Sequence, residues 1–379
     1  LKKWNWRKLT GRRKRKGVKK MDEKSSRILT AVNNGNTDLV EKLLKEGVNP
    51  DTEDESGNNL LKIAAYTGRG RIADLLVKKG ASAGINGFSE VILAAITEDT
   101  AKINFIARNK KELLKETDAS GNTPLVFSIL NWNYEIAGEI IDNMENIDTV
   151  NKFGNTPLII AAEKGNTRVV RKLIAKGANV NAVNKVSETA LIYACSKGHA
   201  DIVTELIHAG AGTSVKNKYD DCAMIFAALS GNPLIIRKLA SAGADVNVQG
   251  FWGKTPLMIA ALKGFPDAVR ELINLGADVE KKDRYGYTAL MEAVGESNLD
   301  VVKVYTDKWE KDGSSHTEHN LPLEAVKEGY IQTVKELLEA GADAGDKDEG
   351  GMTAFDHARN EEMKKALGDR RSTGRFDGQ

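Results

Sequence analysis

The sequence predicts an all-α repeat solenoid of about eleven stacked helix-turn-helix units with β-hairpin fingers projecting from one side. Three observations lead there. One phrase recurs at a fixed period of 33 residues. Each period holds two short amphipathic segments that end at glycine. The length of 379 residues exceeds what one globular core usually organises, so an extended array or several domains is required.

The phrase runs DASGNTPL from Asp118, NKFGNTPL from Asn151, NKVSETAL from Asn184, NKYDDCAM from Asn217, GFWGKTPL from Gly250 and DRYGYTAL from Asp283. Less regular copies start at Asp54 and Asp348, and degenerate ones near Met21, Gly84 and Ser315. In each phrase Asp or Asn opens a turn and Gly supplies a positive φ. Thr156 or Thr255 then caps a helix through its hydroxyl, and Pro157 or Pro256 takes the first helical position, where no N–H is needed. Paired alanines such as Ala161 and Ala162 let a neighbouring helix approach closely, and Gly165, Gly198, Gly231 and Gly264 are expected as left-handed caps. The second helix carries Val169, Val170, Leu173 and Ile174 at helical spacing and stops at Gly177; the equivalent stops are Gly210, Gly243, Gly276 and Gly341. Helices this short are marginal alone in water, so stacking on the next unit must hold each one. With ten stacking steps of about 10 Å, a curved rod on the order of 100 Å is expected.

These landmarks resemble those of the ankyrin-repeat family over residues 21–367. The resemblance implies a non-catalytic solenoid that recognises protein partners along its concave face. One departure stands out: the family's His after TPL is replaced by Val126, Ile159, Ile192, Ile225, Met258 and Met291, so apolar packing is expected there. The period is disturbed at Asn104 to Asp118 and at Lys308 to Asn320, two candidate distortions of the stack.

Composition excludes several classes. With 41% hydrophobic and 28% charged residues the chain can pack a core, and no apolar run reaches the roughly 18 residues that cross a bilayer. Cys195 and Cys222, the only two cysteines, permit no disulfide framework and favour a cytoplasmic setting. No catalytic set, cofactor motif or small-molecule site is recognisable. GFWGKT keeps only the end of a phosphate loop, since Val248 stands where its first Gly belongs. Asp346 and Asp348 start a calcium-loop pattern, but Gly350 and His357 occupy two donor positions. His316 and His319 are too few for a closed zinc site. His199 reads as structural, and the two thiols as buried replacements for small residues.

Two features point outward. The first 20 residues hold 11 Lys or Arg and no acid; the remainder has 44 basic against 53 acidic residues, a balance of −9. This arm, with Trp4, Trp6, Arg7, Arg12, Arg13, Lys14, Arg15 and Lys16, is read as flexible and is suited to nucleic acid or an anionic membrane surface. A solubilising tail is the plainer alternative, and if residues precede Leu1 the arm could flank a membrane segment. Residues 368–379 read as a polar, disordered tail. The second feature is a row at the third position of successive phrases: Phe153, Val186, Tyr219, Trp252 and Tyr285, with Lys152, Lys185, Lys218, Phe251 and Arg284 beside it. Of these, Phe153, Tyr219, Phe251, Trp252, Arg284 and Tyr285 are the expected partner-binding residues. The alternative is that each ring only packs on the adjacent finger. Two readings of function follow: a scaffold or adaptor that binds a protein partner through its fingers and concave face, or a tether in which the arm supplies the affinity and the repeats position it.

Overall fold

The computed structural model describes residues 22–84, 87–296, 323–358 and 361–368. The basic arm, including Trp4, Trp6, Arg7, Arg12, Arg13, Lys14, Arg15 and Lys16, lies outside the described residues, as do His316, His319, the polar stretch from Lys308 to Asn320 and residues 369–379. Among the described residues the chain is helical and has no strand.

Twenty helices form ten consecutive pairs: α1 (Glu23–Asn34) with α2 (Thr37–Lys45), α3 (Leu60–Tyr66) with α4 (Gly70–Lys78), α5 (Glu90–Ile96) with α6 (Thr100–Asn109), α7 (Pro124–Leu130) with α8 (Tyr134–Asn143), and α9 (Pro157–Lys164) with α10 (Thr167–Ala175). There follow α11 (Ala190–Ser196) with α12 (Ala200–His208), α13 (Ala223–Ser230) with α14 (Pro233–Ser241), α15 (Pro256–Leu262) with α16 (Pro266–Asn274), α17 (Ala289–Glu296) with α18 (Leu323–Glu339), and α19 (Ala354–His357) with α20 (Glu361–Gly368). The caps are those the phrase predicts. The Thr156 and Thr255 hydroxyls accept the N–H of Ile159 and Met258 at 3.3 and 3.2 Å. Gly165, Gly198, Gly231 and Gly264 all have positive φ, 65 to 78°.

First helices pack on first helices and second on second, except between the second and third pairs, where α4 meets α5 and α3 meets α7; one core runs through the array. Val126, Ile159, Ile192, Ile225, Met258 and Met291 are all buried in it, which is the apolar packing expected where the family's His is absent. His199 sits at the helix junction, its ring against Gly165 and its Nε2 3.3 Å from the Glu163 carbonyl. Cys195 and Cys222 are buried and unbridged, and burial pushes the Cys195 thiol pKa up.

Two expectations are corrected. Among the described residues there are ten helix pairs, not eleven. Part of the unit expected from Ser315 lies outside the described residues; within them α18 is a single helix of 17 residues and packs against α16 and α17, the place of a second helix for the unit that begins at Asp283. Its partner contacts are displaced accordingly. Arg237 pairs with Glu271, 34 residues on, whereas Arg270 pairs with Glu336, 66 residues on. Secondly, among the described residues the fingers are tight turns without hairpin strands, with two isolated bridges, Glu53 with Asn59 and Lys347 with Thr353. Each turn closes over five residues, too few to leave paired strands.

The disturbance near residues 104–118 is real. A 3-10 turn, Lys111–Lys115, replaces the usual Gly–Ala stop and buries Leu114. Beside it α3 packs on α7, the first helix of the next unit but one. The Tyr66 hydroxyl donates to Asp118, and the Tyr66 ring meets Phe127 edge-on at 5.6 Å. Burial first, and the Asp118 contact second, push the Tyr66 pKa up to about 12.

Candidate partner-binding surface

The fingers that open with Asp or Asn share one build. The first residue's side chain accepts backbone N–H groups from the third and fifth residues: Asn217 Oδ1 from Tyr219 and Asp221 at 2.9 and 3.1 Å, Asp283 Oδ1 from Tyr285 and Tyr287 at 2.8 and 3.0 Å. The fourth residue is left-handed, whether it is Gly154, Ser187, Asp220 or Gly286. That geometry puts the third side chain at the tip. The second residue's N–H then donates to the third residue's carbonyl of the preceding finger: Lys152 to Ser120, Lys185 to Phe153, Lys218 to Val186 and Arg284 to Trp252, all at 2.9 to 3.0 Å.

The eighth finger departs from this rule. Gly250 has no side chain to organise the turn, and the Phe251 N–H donates instead to Asp221 Oδ1 of the preceding finger at 2.9 Å. A Cβ on Gly250 would lie 2.2 Å from that oxygen, so the carboxylate occupies the space a side chain would need. Burial raises the Asp221 pKa, opposed by the bond from Phe251. Trp252 is itself left-handed at φ 58°, ahead of Gly253 at 77°. Its ring stacks on Phe251 at 4.4 Å. Tyr219 meets Phe251 edge-on at 6.1 Å, and Trp252 meets Tyr285 at 6.3 Å.

Tyr219, Phe251, Trp252 and Tyr285 therefore form one continuous cluster, and each remains between 40% and 51% exposed. Phe153, 44% exposed, lies two fingers along, across the half-buried Val186. The rings do pack on adjacent fingers, as the structural alternative requires, yet about half of each stays open. Beside them Lys152, Lys185, Lys218 and Arg284 are exposed. A cleft of roughly 340 Å³ opens between the seventh, eighth and ninth fingers, lined by Lys216, Gln249, Lys282 and Arg284 among others.

A polar ladder beneath the tips escaped the sequence reading. Asn151 donates to Asn122 at 3.0 Å, Asn184 to Asn155 at 2.9 Å and Asn217 to Glu188 at 3.3 Å, so the first residue of each finger is tied to the fifth of the one before. Asn184 also donates to the Tyr193 hydroxyl at 3.2 Å, and burial raises that phenol's pKa. At Lys254 the polarity reverses: its ammonium donates to Asp283 at 3.2 Å and to Glu292, in a nearly buried ion cluster. That engagement leaves Lys254 no role as a phosphate-loop lysine. Asp348 likewise serves the ordinary turn, accepting from the Met352 N–H at 2.9 Å and contacting His357. The signal available in the sequence was the polar fifth residue of each phrase: Asn122, Asn155, Glu188, Asp221 and Lys254.

Comparison with known proteins agrees with this architecture. The family described as ankyrin repeats (3 copies) matches residues 12–87, 28–111, 129–220, 160–250 and 224–312. Among solved structures, the ankyrin repeat domain of Bcl-3, titled a unique member of the IkappaB protein family, is 22% identical with a TM-score of 0.50; the match covers 65% of this chain and 99% of that one. The human ASB11 ankyrin repeat domain is 21% identical with a TM-score of 0.53, covering 65% of this chain and 96% of that one. At these identities the likeness is one of fold. No curated protein sequence matches the chain.

Proposed function

The chain belongs to the ankyrin-repeat family, whose repeats generally mediate protein–protein interaction, and from that premise we propose that it is a non-catalytic scaffold binding a protein partner through its finger tips and concave face. The observation that carries the proposal is the continuous aromatic cluster of Tyr219, Phe251, Trp252 and Tyr285, open to solvent on one side. Aromatic side chains with Arg at hand are the composition of interface hot spots. Phe153 extends the row, and Arg284 flanks it. Tyr193, Phe226 and Ile259, half-buried at a 33-residue period on the first helices, would continue the contact onto the concave face.

The test is Trp252→Ala, with affinity for a partner captured from the native source and unfolding stability measured in parallel. A hot spot predicts a loss of about 2 kcal/mol or more in binding with little change in stability. Unchanged affinity, or an equal loss of stability, would make the rings structural. A second reading, the basic-arm tether to nucleic acid or an anionic membrane, is favoured by one observation, the 11 cations within residues 1–20. Deleting that arm should leave partner binding intact under the first reading and abolish it under the second. Attraction by the arm should fall steeply with salt.

A further inference from the structure

We infer that the fingers of the sixth to ninth units hold an extended acidic peptide, its acidic side chains spaced three residues apart, with one apolar residue in place of an acid. The inference rests on reading the finger row as a binding surface, and it names what that surface recognises.

Charge pairing carries it. On the second helices, cations that face the neighbouring unit are matched by carboxylates: Arg171 with Glu205, Lys172 with Asp142, Arg237 with Glu271 and Arg270 with Glu336. Lys185, Lys218 and Arg284, one finger apart from each other except at Phe251, have no ion-pair partner for their side chains among the described residues and point into solvent. At the second finger position the repeat leaves charge open, although Lys254 and Lys282 nearby are paired with Asp283 and Asp346. Of the acids nearest the row, Asp283 is engaged by Lys254 and two backbone N–H groups and Asp221 by Phe251, while Asp220, exposed beside Tyr219, is the one carboxylate of these four fingers that a peptide acid at the seventh finger must avoid.

Spacing gives the register. Equivalent finger positions repeat at the stacking distance, about 10 Å, and an extended chain in the polyproline II conformation rises about 3.1 Å per residue with three residues per turn, so that side chains three apart share one face. Every third side chain of a peptide laid along the row therefore meets a finger. At three of four steps it meets Lys185, Lys218 or Arg284; at the remaining step it meets Phe251 and the rings around it. Bases of a single strand fit less well. Tyr219, Phe251, Trp252 and Tyr285 touch one another by edge or face, which leaves no slot between parallel rings for a base to enter.

The experiment uses the full chain and two labelled synthetic peptides of identical composition, followed by fluorescence anisotropy at low salt. One peptide has glutamate at every third position, interrupted once by tryptophan at the step facing Phe251; the other has its glutamates adjacent. The registered peptide should bind at least about fivefold more tightly, the scale expected for two or three exposed ion pairs. Replacing Lys185, Lys218 and Arg284 together by Gln should erase that preference without moving the unfolding transition. Equal affinity of the two peptides, no binding of either, or tighter binding of an oligothymidylate than of the registered peptide would overturn the inference. If Trp252→Ala still weakens the captured partner in any of those cases, the finger row remains a binding surface and only its acidic-peptide preference is lost.

Discussion

The eighth finger allows a prediction whose sign opposes what the repeat pattern suggests. Five of the six regular phrases open with Asp or Asn, so Gly250→Asn looks like a repair. It would reduce the entropy of the unfolded chain by about 0.4–1 kcal/mol and offer the turn a side-chain acceptor worth about 1 kcal/mol. The structure says the opposite. The new Cβ would lie 2.2 Å from Asp221 Oδ1 and 3.2 Å from Ile225 Cγ1, so the carboxylate must swing away and release the Phe251 N–H it accepts at 2.9 Å. A hydrogen bond to a charged acceptor is worth about 1.5–3 kcal/mol, and crowding a packed position typically costs about 1–3 kcal/mol more. The expected net effect is destabilisation of about 1–2 kcal/mol, read as a lowered urea midpoint by circular dichroism and tryptophan fluorescence. Combining the change with Asp221→Ala removes the obstruction, and the double variant should regain at least about 1 kcal/mol relative to additivity. A Gly250→Asn protein as stable as the parent, or strictly additive behaviour in the cycle, would refute the reasoning.

Lys254→Ala should cost about 3 kcal/mol or more, because Asp283 and Glu292 are left buried without their cation; adding Glu292→Ala should restore part of that loss in thermal unfolding. Glu271→Gln should flatten the acid limb of the stability curve. Arg237 holds the Glu271 pKa below its ordinary 4.5, so this carboxylate stabilises the fold above its unfolded pKa and that contribution is lost as pH falls through the folded one; an unchanged acid limb would show the bidentate pair to be energetically silent.

What could be read from the sequence was what a single unit decides for itself. Thr156, Pro157 and Gly165 act within one helix, and Asn217 organises its own turn, so the period alone located the caps, the buried rows and the tip positions. Tyr219, Trp252 and Tyr285 were legible as a row for the same reason. The features that were missed lie between units. Asp221 reaches a backbone N–H 30 residues on, and Lys254 reverses the direction of the polar ladder by pairing with residues 29 and 38 positions away. Their polar character was visible at the fifth position, but the partner of each lies in a different unit and cannot be read from one unit alone. The hairpins were overread: a turn signal fixes a reversal of the chain but not whether enough residues flank it to pair.

The unit count is the sharpest instance, and it yields a direct test. The period counts a degenerate unit that begins near Ser315. Stacking decides otherwise, because α18 presents Val334 and Leu337 to the core as a second helix would and the finger at Asp348 takes the place next to that at Asp283. The Glu349 N–H donates to the Tyr285 carbonyl at 3.3 Å, the same bond by which Lys185 is joined to Phe153 at 3.0 Å. Residues joined in this way have Cα atoms within the roughly 4.4–6.8 Å that a disulfide spans, whereas an intervening unit would hold them about two stacking steps, or 20 Å, apart. Tyr285→Cys with Glu349→Cys should therefore cross-link on mild oxidation as readily as the adjacent pair Phe153→Cys with Lys185→Cys, and the pair Tyr219→Cys with Glu349→Cys should not. Cys195 and Cys222 are buried and compete little. Failure of the first pair, with success of the second, would place an eleventh unit between these fingers.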